Sequence, residues 1–166
     1  MKRYPNGTVR FFNSAGQLHN ENGPAVIMRT GFISWYKDGK LHNEHGPAEI
    51  HTNIGLLIWK IDGITHRENG PAIISTNTYE LTSLKFLVDG KLDRRNGPAI
   101  IEVIDENPYG DYYIKGERLN AANKAVDLID IRYRKKTSEE KELLKYMEEA
   151  EHYIEEAKEW IKKYTK

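Results

Sequence analysis

The stretch that decides the fold is W-Y-K-D-G-K-L-H-N-E-H-G-P-A, Trp35 to Ala48, because close copies of its second half recur along the chain. Leu18 to Ile27 reads L-H-N-E-N-G-P-A-V-I and Leu41 to Ile50 reads L-H-N-E-H-G-P-A-E-I. Thr65 to Ile74 reads T-H-R-E-N-G-P-A-I-I, and Leu92 to Ile101 reads L-D-R-R-N-G-P-A-I-I. Working outward, Gly46 lies seven residues after Gly39, and the same seven separate Gly16 from Gly23, Gly63 from Gly70 and Gly90 from Gly97. An aromatic stands four residues before each turn glycine: Phe12, Trp35, Trp59 and Phe86, with Tyr112 before Gly116 in a degenerate fifth unit. From each Gly-Pro-Ala glycine to the next turn glycine, however, the spacing runs 16, 17, 20 and 19 residues. One segment of constant length alternating with one of variable length describes a tandem repeat whose insertions fall in a single loop per unit.

Ala25 and Ile27, Ala48 and Ile50, Ala72 and Ile74, and Ala99 and Ile101 are two residues apart, so each pair points to one face of a short strand. Pro24, Pro47, Pro71 and Pro98 open these strands, a position where the missing amide donor is tolerated. Phe32 to Tyr36, Leu56 to Trp59, Leu84 to Val88 and Tyr112 to Ile114 have the β-branched and aromatic content of return strands. Arg29 to Gly31, Thr52 to Gly55, Thr76 to Glu80 and Asp105 to Gly110 are then the variable hairpin tips. Asp38-Gly39, Asp62-Gly63 and Asp89-Gly90 suit tight turns with positive φ, and Asn-Gly at Asn22, Asn69 and Asn96 marks a second bend. The expected fold is a mainly β repeat array over residues 1–117, an antiparallel β-meander of hairpins forming one continuous sheet. Its aromatics lie on the buried Ala and Ile side, and constant segments connect the hairpins.

From Glu117 onward glycine and proline stop. Residues 118–136 read as a short helix over Asn120 to Ile131 and a basic linker of Arg132, Arg134, Lys135 and Lys136. Thr137-Ser138-Glu139-Glu140 is a capping box that opens a long amphipathic helix over 137–166, making the protein α+β overall. Leu143, Met147, Ala150, Ile154, Ala157, Ile161 and Tyr164 follow 4-3 spacing, and Tyr146, Tyr153 and Trp160 form a flanking stripe seven apart. At 1.5 Å per residue this helix spans about 43 Å, close to the width of about ten strands. It is therefore expected to lie across the strands and cover the ladder face, with a homo-oligomeric coiled coil through the same heptads as the rival. Tyr146, Tyr153 and Trp160, at the border of the buried stripe, are the candidate partner contacts.

Trp35 to Ala48 resembles the MORN-like hairpin repeats of uncharacterised phage, giant-virus and bacterial proteins, and the resemblance extends over roughly residues 4–117. It implies the hairpin-array fold. MORN-type repeats are associated with scaffolding and with protein or lipid contact, and no set of catalytic residues comes with them. The phage-like character of the resemblance implies inhibition of a host or defence protein.

The chemistry available to the chain narrows the function. Its 166 residues include 25 acidic and 25 basic side chains and no cysteine, which excludes disulfides, thiolate zinc sites and a cysteine nucleophile. The balanced charge argues against general nucleic-acid binding. The longest apolar run, Leu56 to Trp59 beside Gly55, falls far short of the ~20 residues that span a bilayer, so no membrane insertion is expected. Met1-Lys2-Arg3 leads into no hydrophobic stretch, so the expected location is cytoplasmic. His19 and Glu21, His42 and Glu44, and His66 and Glu68 share the H-x-E spacing of zinc deaminases without the cysteine ligands that chemistry needs. Their recurrence at one repeat phase, replaced by Asp93 and Arg95 in the fourth unit, points to hydrogen bonding within the connectors. No phosphate loop, Ser-His-Asp order or carboxylate pair stands out, so neither enzymatic activity nor a cofactor or metal is expected. The function expected is that of a non-catalytic binding or adaptor protein that uses the sheet and the helix for protein contact. The alternative is sequestration of a small ligand or nucleotide in a pocket lined by tip residues such as Arg29, Asn53 and Tyr79.

Overall fold

The computed structural model describes residues 1–77, 81–104, 107–119 and 136–165. The expected short helix over Asn120 to Ile131, the linker residues Arg132, Arg134 and Lys135, and the tip residue Tyr79 lie outside these residues, as do the capping-box side chains of Thr137 and Glu140.

Ten short strands cross one antiparallel sheet in chain order: Lys2–Arg3, Val9–Arg10, Val26–Ile27, Phe32–Ser34, Glu49–His51, Leu56–Ile58, Ile73–Thr76, Leu81–Lys85, Ile100–Ile104 and Asn107–Asp111. Val9 pairs with Ile27, Ile27 with Ile33, Ile33 with Ile50 and Ile50 with Leu57. The row continues through Ile74 and Leu84 to Ile101. Eight aliphatic side chains thus form one unbroken line across the sheet, none more than 9% exposed. Cross-strand apolar pairs of this kind stabilise a sheet, and a one-residue slip of any strand would turn its member to the opposite face. The alanines of Gly-Pro-Ala are fully buried beside the same row.

The constant segments are hairpins in their own right, where plain connectors were expected. Tyr36–Lys37 pairs with Lys40–Leu41, Lys60–Ile61 with Ile64–Thr65, Leu87–Val88 with Lys91–Leu92, and Tyr113–Ile114 with Glu117–Arg118. Asp38 and Gly39 have φ of 46° and 80°, and the same pair of positive values recurs at Asp62-Gly63, Asp89-Gly90 and Lys115-Gly116. Two successive positive φ angles make a type I′ turn, whose twist matches the flanking strands. The small hairpins stack on one another. The Gly39, Gly63, Gly90 and Gly116 amides donate to the carbonyls of Leu18, Leu41, Thr65 and Leu92 in the preceding unit. The histidines add a rung to each step, since the Asp38, Asp62 and Asp89 amides donate to Nδ1 of His19, His42 and His66 at 3.1–3.2 Å.

Two strand and core expectations are corrected. The last return strand is Asn107–Asp111, whereas Tyr113–Ile114 belongs to a small hairpin. Asn-Pro-Tyr-Gly-Asp has the composition of a turn, but an edge strand tolerates proline and glycine because one side of its ladder is open. The aromatic of the first unit that packs against the core is the partly buried Phe11, whereas Phe12 is 37% exposed. The Phe11 amide donates to Ala25 as Trp35 does to Ala48, Trp59 to Ala72 and Phe86 to Ala99. The first small hairpin pairs Phe12 with Leu18 around a loop one residue longer than the others, held by Asn13 Oδ1 accepting from the Ala15 and Gln17 amides. Counting back four residues from Gly16 therefore lands one residue late.

Candidate functional site: the helix and its flanking grooves

The chain ends in a helix, Lys136–Tyr164, whose 29 residues reach about 43 Å. It lies on the aliphatic row, packed against Val26–Ile27, Glu49–His51 and Ile73–Thr76. Ala150 and Ala157 are fully buried at the contact, where small side chains let helix and sheet approach, and Leu143, Ile154 and Ile161 pack beside them. The helix runs against the order of the repeats. Tyr146 meets Phe86 edge-on at 6.0 Å, Tyr153 meets Trp59 at 5.7 Å, and Tyr164 meets Phe11 at 5.6 Å. These edge-to-face pairs are a favoured aromatic geometry.

The helix also explains two of the recurrent glycines. A Cβ on Gly46 would stand 2.9 Å from Cε1 of Tyr153, and one on Gly23 would stand 2.6 Å from Cη2 of Trp160. In the first two units, then, Gly-Pro-Ala keeps its glycine because a helix ring rests on the backbone. Tyr153 further donates its hydroxyl to the His45 carbonyl at 3.2 Å.

One repeat position reports on the same contact. Asn20 and Asn43 donate their side-chain amides to the carbonyls of Pro24 and Pro47 at 3.0 Å. In units three and four Arg67 and Arg94 make that bond to Pro71 and Pro98 at 3.2 Å, and their longer side chains continue to the helix. Arg67 reaches Glu149 at 2.5 Å and Arg94 reaches Glu142 at 2.5 Å. The same guanidiniums lie over Trp59 at 4.2 Å and Phe86 at 3.9 Å, within cation–π range. Burial raises the phenol pKa values of Tyr146 and Tyr153, and the neighbouring carboxylates of Glu142 and Glu149 push in the same direction. On the exposed connectors the shifts are downward. The hydrogen bond from Asn13 lowers Asp38, and the bond from His42 lowers Glu44.

Hollows open on the flanks of the helix. On the tip side a cavity of about 650 Å³ lies between the tip residues Thr52 to Gly55, Thr76 and Asn77 and the helix residues Met147, Glu151, Ile154, Glu155 and Lys158. The tips that form its wall are zipped together, with Thr52 donating its amide and hydroxyl to the Gly31 carbonyl and Thr76 doing the same to Gly55. On the opposite flank a cavity of about 520 Å³ is bounded by Arg67, Phe86, Arg94, Arg95, Glu142 and Tyr146.

The residues singled out from the sequence fall in different places. Tyr146 is 5% exposed, with only an edge at the cavity beside Phe86, while Tyr153 and Trp160 are half-buried with outer edges in solvent. Trp160 also borders an open hollow with His152, Glu156 and Lys163. Asn53 lines the tip-side cavity and donates to the Thr30 carbonyl at 2.6 Å. Arg29 lies beside the Gly7 turn and does not line that cavity. The cavity lining that sequence reasoning did not single out includes Ile54, which is 60% exposed at the rim, and the helix residues Met147, Glu151 and Glu155 that complete it. Among the described residues, no group of three or more His, Cys, Asp or Glu side chains is arranged to hold a metal ion.

No protein-family model matches this chain, and comparisons with curated proteins and with solved structures return no match. No helix among the described residues is long and apolar enough to cross a membrane.

Proposed function

We propose that this chain is a non-catalytic binding or adaptor protein of the MORN-like type, and that it takes hold of a protein partner along the groove between its hairpin tips and its C-terminal helix. The observation that carries this reading is the groove itself. It is built where two of the length-variable tips, Thr52 to Gly55 and Thr76-Asn77, meet the helix, with half-buried Met147 and Ile154 below and exposed Ile54 at the rim. Loops that vary in length on a rigid array are where such folds place recognition, and exposed Ile54 gives this groove an apolar rim. The outer edges of Tyr153 and Trp160, beside the Gly46 and Gly23 bends on the opposite flank, offer a separate contact surface. Inhibition of a host or defence protein is the role the phage-like repeat pattern favours for such a binder. The test is affinity capture from a bacterial lysate by the intact chain and by Ile54→Ser. A protein retained by the first and lost from the second supports the reading, and capture of nothing by the intact chain refutes it.

A second reading has one observation in its favour. The cavity falls within the ~300–1,000 Å³ of small-molecule sites, and Asn53, a tip residue expected to contact a ligand, lines it. Mass spectrometry of small molecules released from the purified chain separates sequestration from protein binding.

A further inference from the structure

We propose that the tip-side groove receives a short extended segment of the partner protein in which basic and apolar residues alternate. The proposal rests on the reading of the chain as a binding protein and adds the chemistry of what it binds.

Size comes first. The helix wall of the groove runs from Met147 to Lys158, eleven residues on, or about 16 Å at the helical rise. An extended chain covers that length in about five residues at ~3.3 Å each. The groove matches a strand-like segment of about that length.

Charge and polarity then define the segment. The tip wall offers Thr52, Asn53, Ile54 and Thr76, none of them charged. The helix wall carries Glu151, Glu155 and Lys158, and Lys158 pairs with Glu155 at 2.5 Å. Glu151 has no partner among the described residues, and exposed Glu148 lies three residues before it on the same helix. A purely apolar occupant would take the Glu151 carboxylate out of water with nothing to compensate it, and an acidic one would add repulsion. A lysine or arginine at that point supplies the missing partner. The residues on either side would lie on Met147, Ile154 and Ile54, and the two-residue period of an extended chain allows that alternation. A nucleotide, being anionic, meets the same carboxylate and is disfavoured.

The experiment measures fluorescence anisotropy of labelled nine-residue peptides with the full chain. One alternates leucine and lysine, one leucine and glutamate, and one serine and lysine. The leucine–lysine peptide is expected to bind at least about tenfold more tightly than either of the others. Glu151→Lys with Glu155→Lys should weaken it by about tenfold or more and shift preference toward the leucine–glutamate peptide. Glu21→Lys with Glu117→Lys, both on the connectors and outside the groove lining, should leave it unchanged. All four are exposed side chains, so the variants keep the fold. Equal losses from both double variants would reduce the effect to general charge attraction and overturn the proposal. So would tight binding of the leucine–glutamate peptide, or indifference to charge reversal at Glu151 and Glu155. If the peptides fail while Ile54→Ser still abolishes lysate capture, the binding reading stands and only the assigned chemistry falls.

Discussion

Replacing Arg67 tests whether the repeat array and the helix are locked together by the position that follows each connector histidine. Arg67→Ala removes three interactions. The hydrogen bond to the Pro71 carbonyl, at 3.2 Å, contributes about 1 kcal/mol. The two-pronged contact with Glu149, at 2.5 and 3.3 Å, joins side chains 19% and 21% exposed, which places it at the upper end of the ~0.2–1 kcal/mol measured for exposed pairs. Stacking on Trp59 at 4.2 Å adds about 0.5–1 kcal/mol. The expected loss is therefore about 2.5–3 kcal/mol. Arg67→Asn installs the residue that units one and two use for the same proline bond, at 3.0 Å in Asn20 and Asn43. It should lose the helix contact and the stacking but keep the first term, costing about 1.5–2 kcal/mol. Urea unfolding followed by circular dichroism measures both, with a constant m-value as the check that only stability has changed. Adding Glu149→Ala to each background should reveal a coupling of about 1 kcal/mol with Arg67 and none with asparagine. An asparagine variant as unstable as the alanine one, or zero coupling in the arginine background, would refute this division of labour.

Two further outcomes follow from the same interface. Burial holds the Tyr146 and Tyr153 phenols above their usual value of 10.0. A folded-state pKa above the unfolded one means that this stability is complete below about pH 10 and is lost as pH rises through the folded values. Melting temperatures measured from about pH 8 to 11.5 should therefore fall beyond about 10, and Tyr146→Phe with Tyr153→Phe should reduce that fall; an unchanged fall contradicts the assignment. Deleting residues 137–166 uncovers the aliphatic row, whose members contribute roughly 1.5–3 kcal/mol each when buried, against a typical total stability of ~5–15 kcal/mol. The shortened chain should aggregate or unfold, and a soluble, cooperatively folding monomer after the deletion would show that the sheet does not depend on its cover.

The meander was legible because two signals of different physical origin coincide in every unit. Alanine and isoleucine at period two mark a buried strand face, and Gly-Pro marks where that strand begins. The helix was legible from 4-3 spacing over Leu143 to Tyr164, and its destination from the apolar face left open by the sheet. The small hairpins were harder to read, because strands of two residues, such as Tyr36–Lys37, carry no pattern beyond their Asp-Gly turns. Their stacking depends on backbone amides that any side chain could accompany. Phe11 was hidden by a single extra residue in a loop without Asp-Gly, and Asn107–Asp111 by turn-like composition on an edge strand. Of the groove, Asn53 could be read as a tip residue. Arg29 could not be separated from it, because only the fold places Arg29 against the Gly7 turn. Arg67 and Arg94 did carry a signal in the sequence. They break the asparagine pattern in two units, and Glu149 and Glu142 stand seven residues apart on the helix.

That last coincidence has a geometric cause. Seven helical residues advance about 10.5 Å, and one repeat of two strands advances about 9.6 Å. The two periods nearly agree, so each heptad finds the same features of the sheet: Tyr146 with Phe86 and Tyr153 with Trp59, then Glu142 with Arg94 and Glu149 with Arg67. The mismatch of about 0.9 Å per step would accumulate to under 3 Å over three steps. A helix inclined by about 24° to the row of repeats projects onto it with the shorter period and removes the difference, and the native twist of a sheet favours such an inclination. Agreement alone would let the helix slide by one unit without penalty, since every unit presents an aromatic and an alanine. The exchange of asparagine for arginine breaks that degeneracy in one direction. A slide of one heptad toward the first unit would take Glu149 to Asn43, which is too short to reach it, and would leave Arg94 without a carboxylate, because Lys135 stands seven residues before Glu142; a slide the other way would offer Glu149 to Arg94 and Glu156 to Arg67. The repeats thus provide affinity for the helix, and the two arginines oppose its slide toward the first unit.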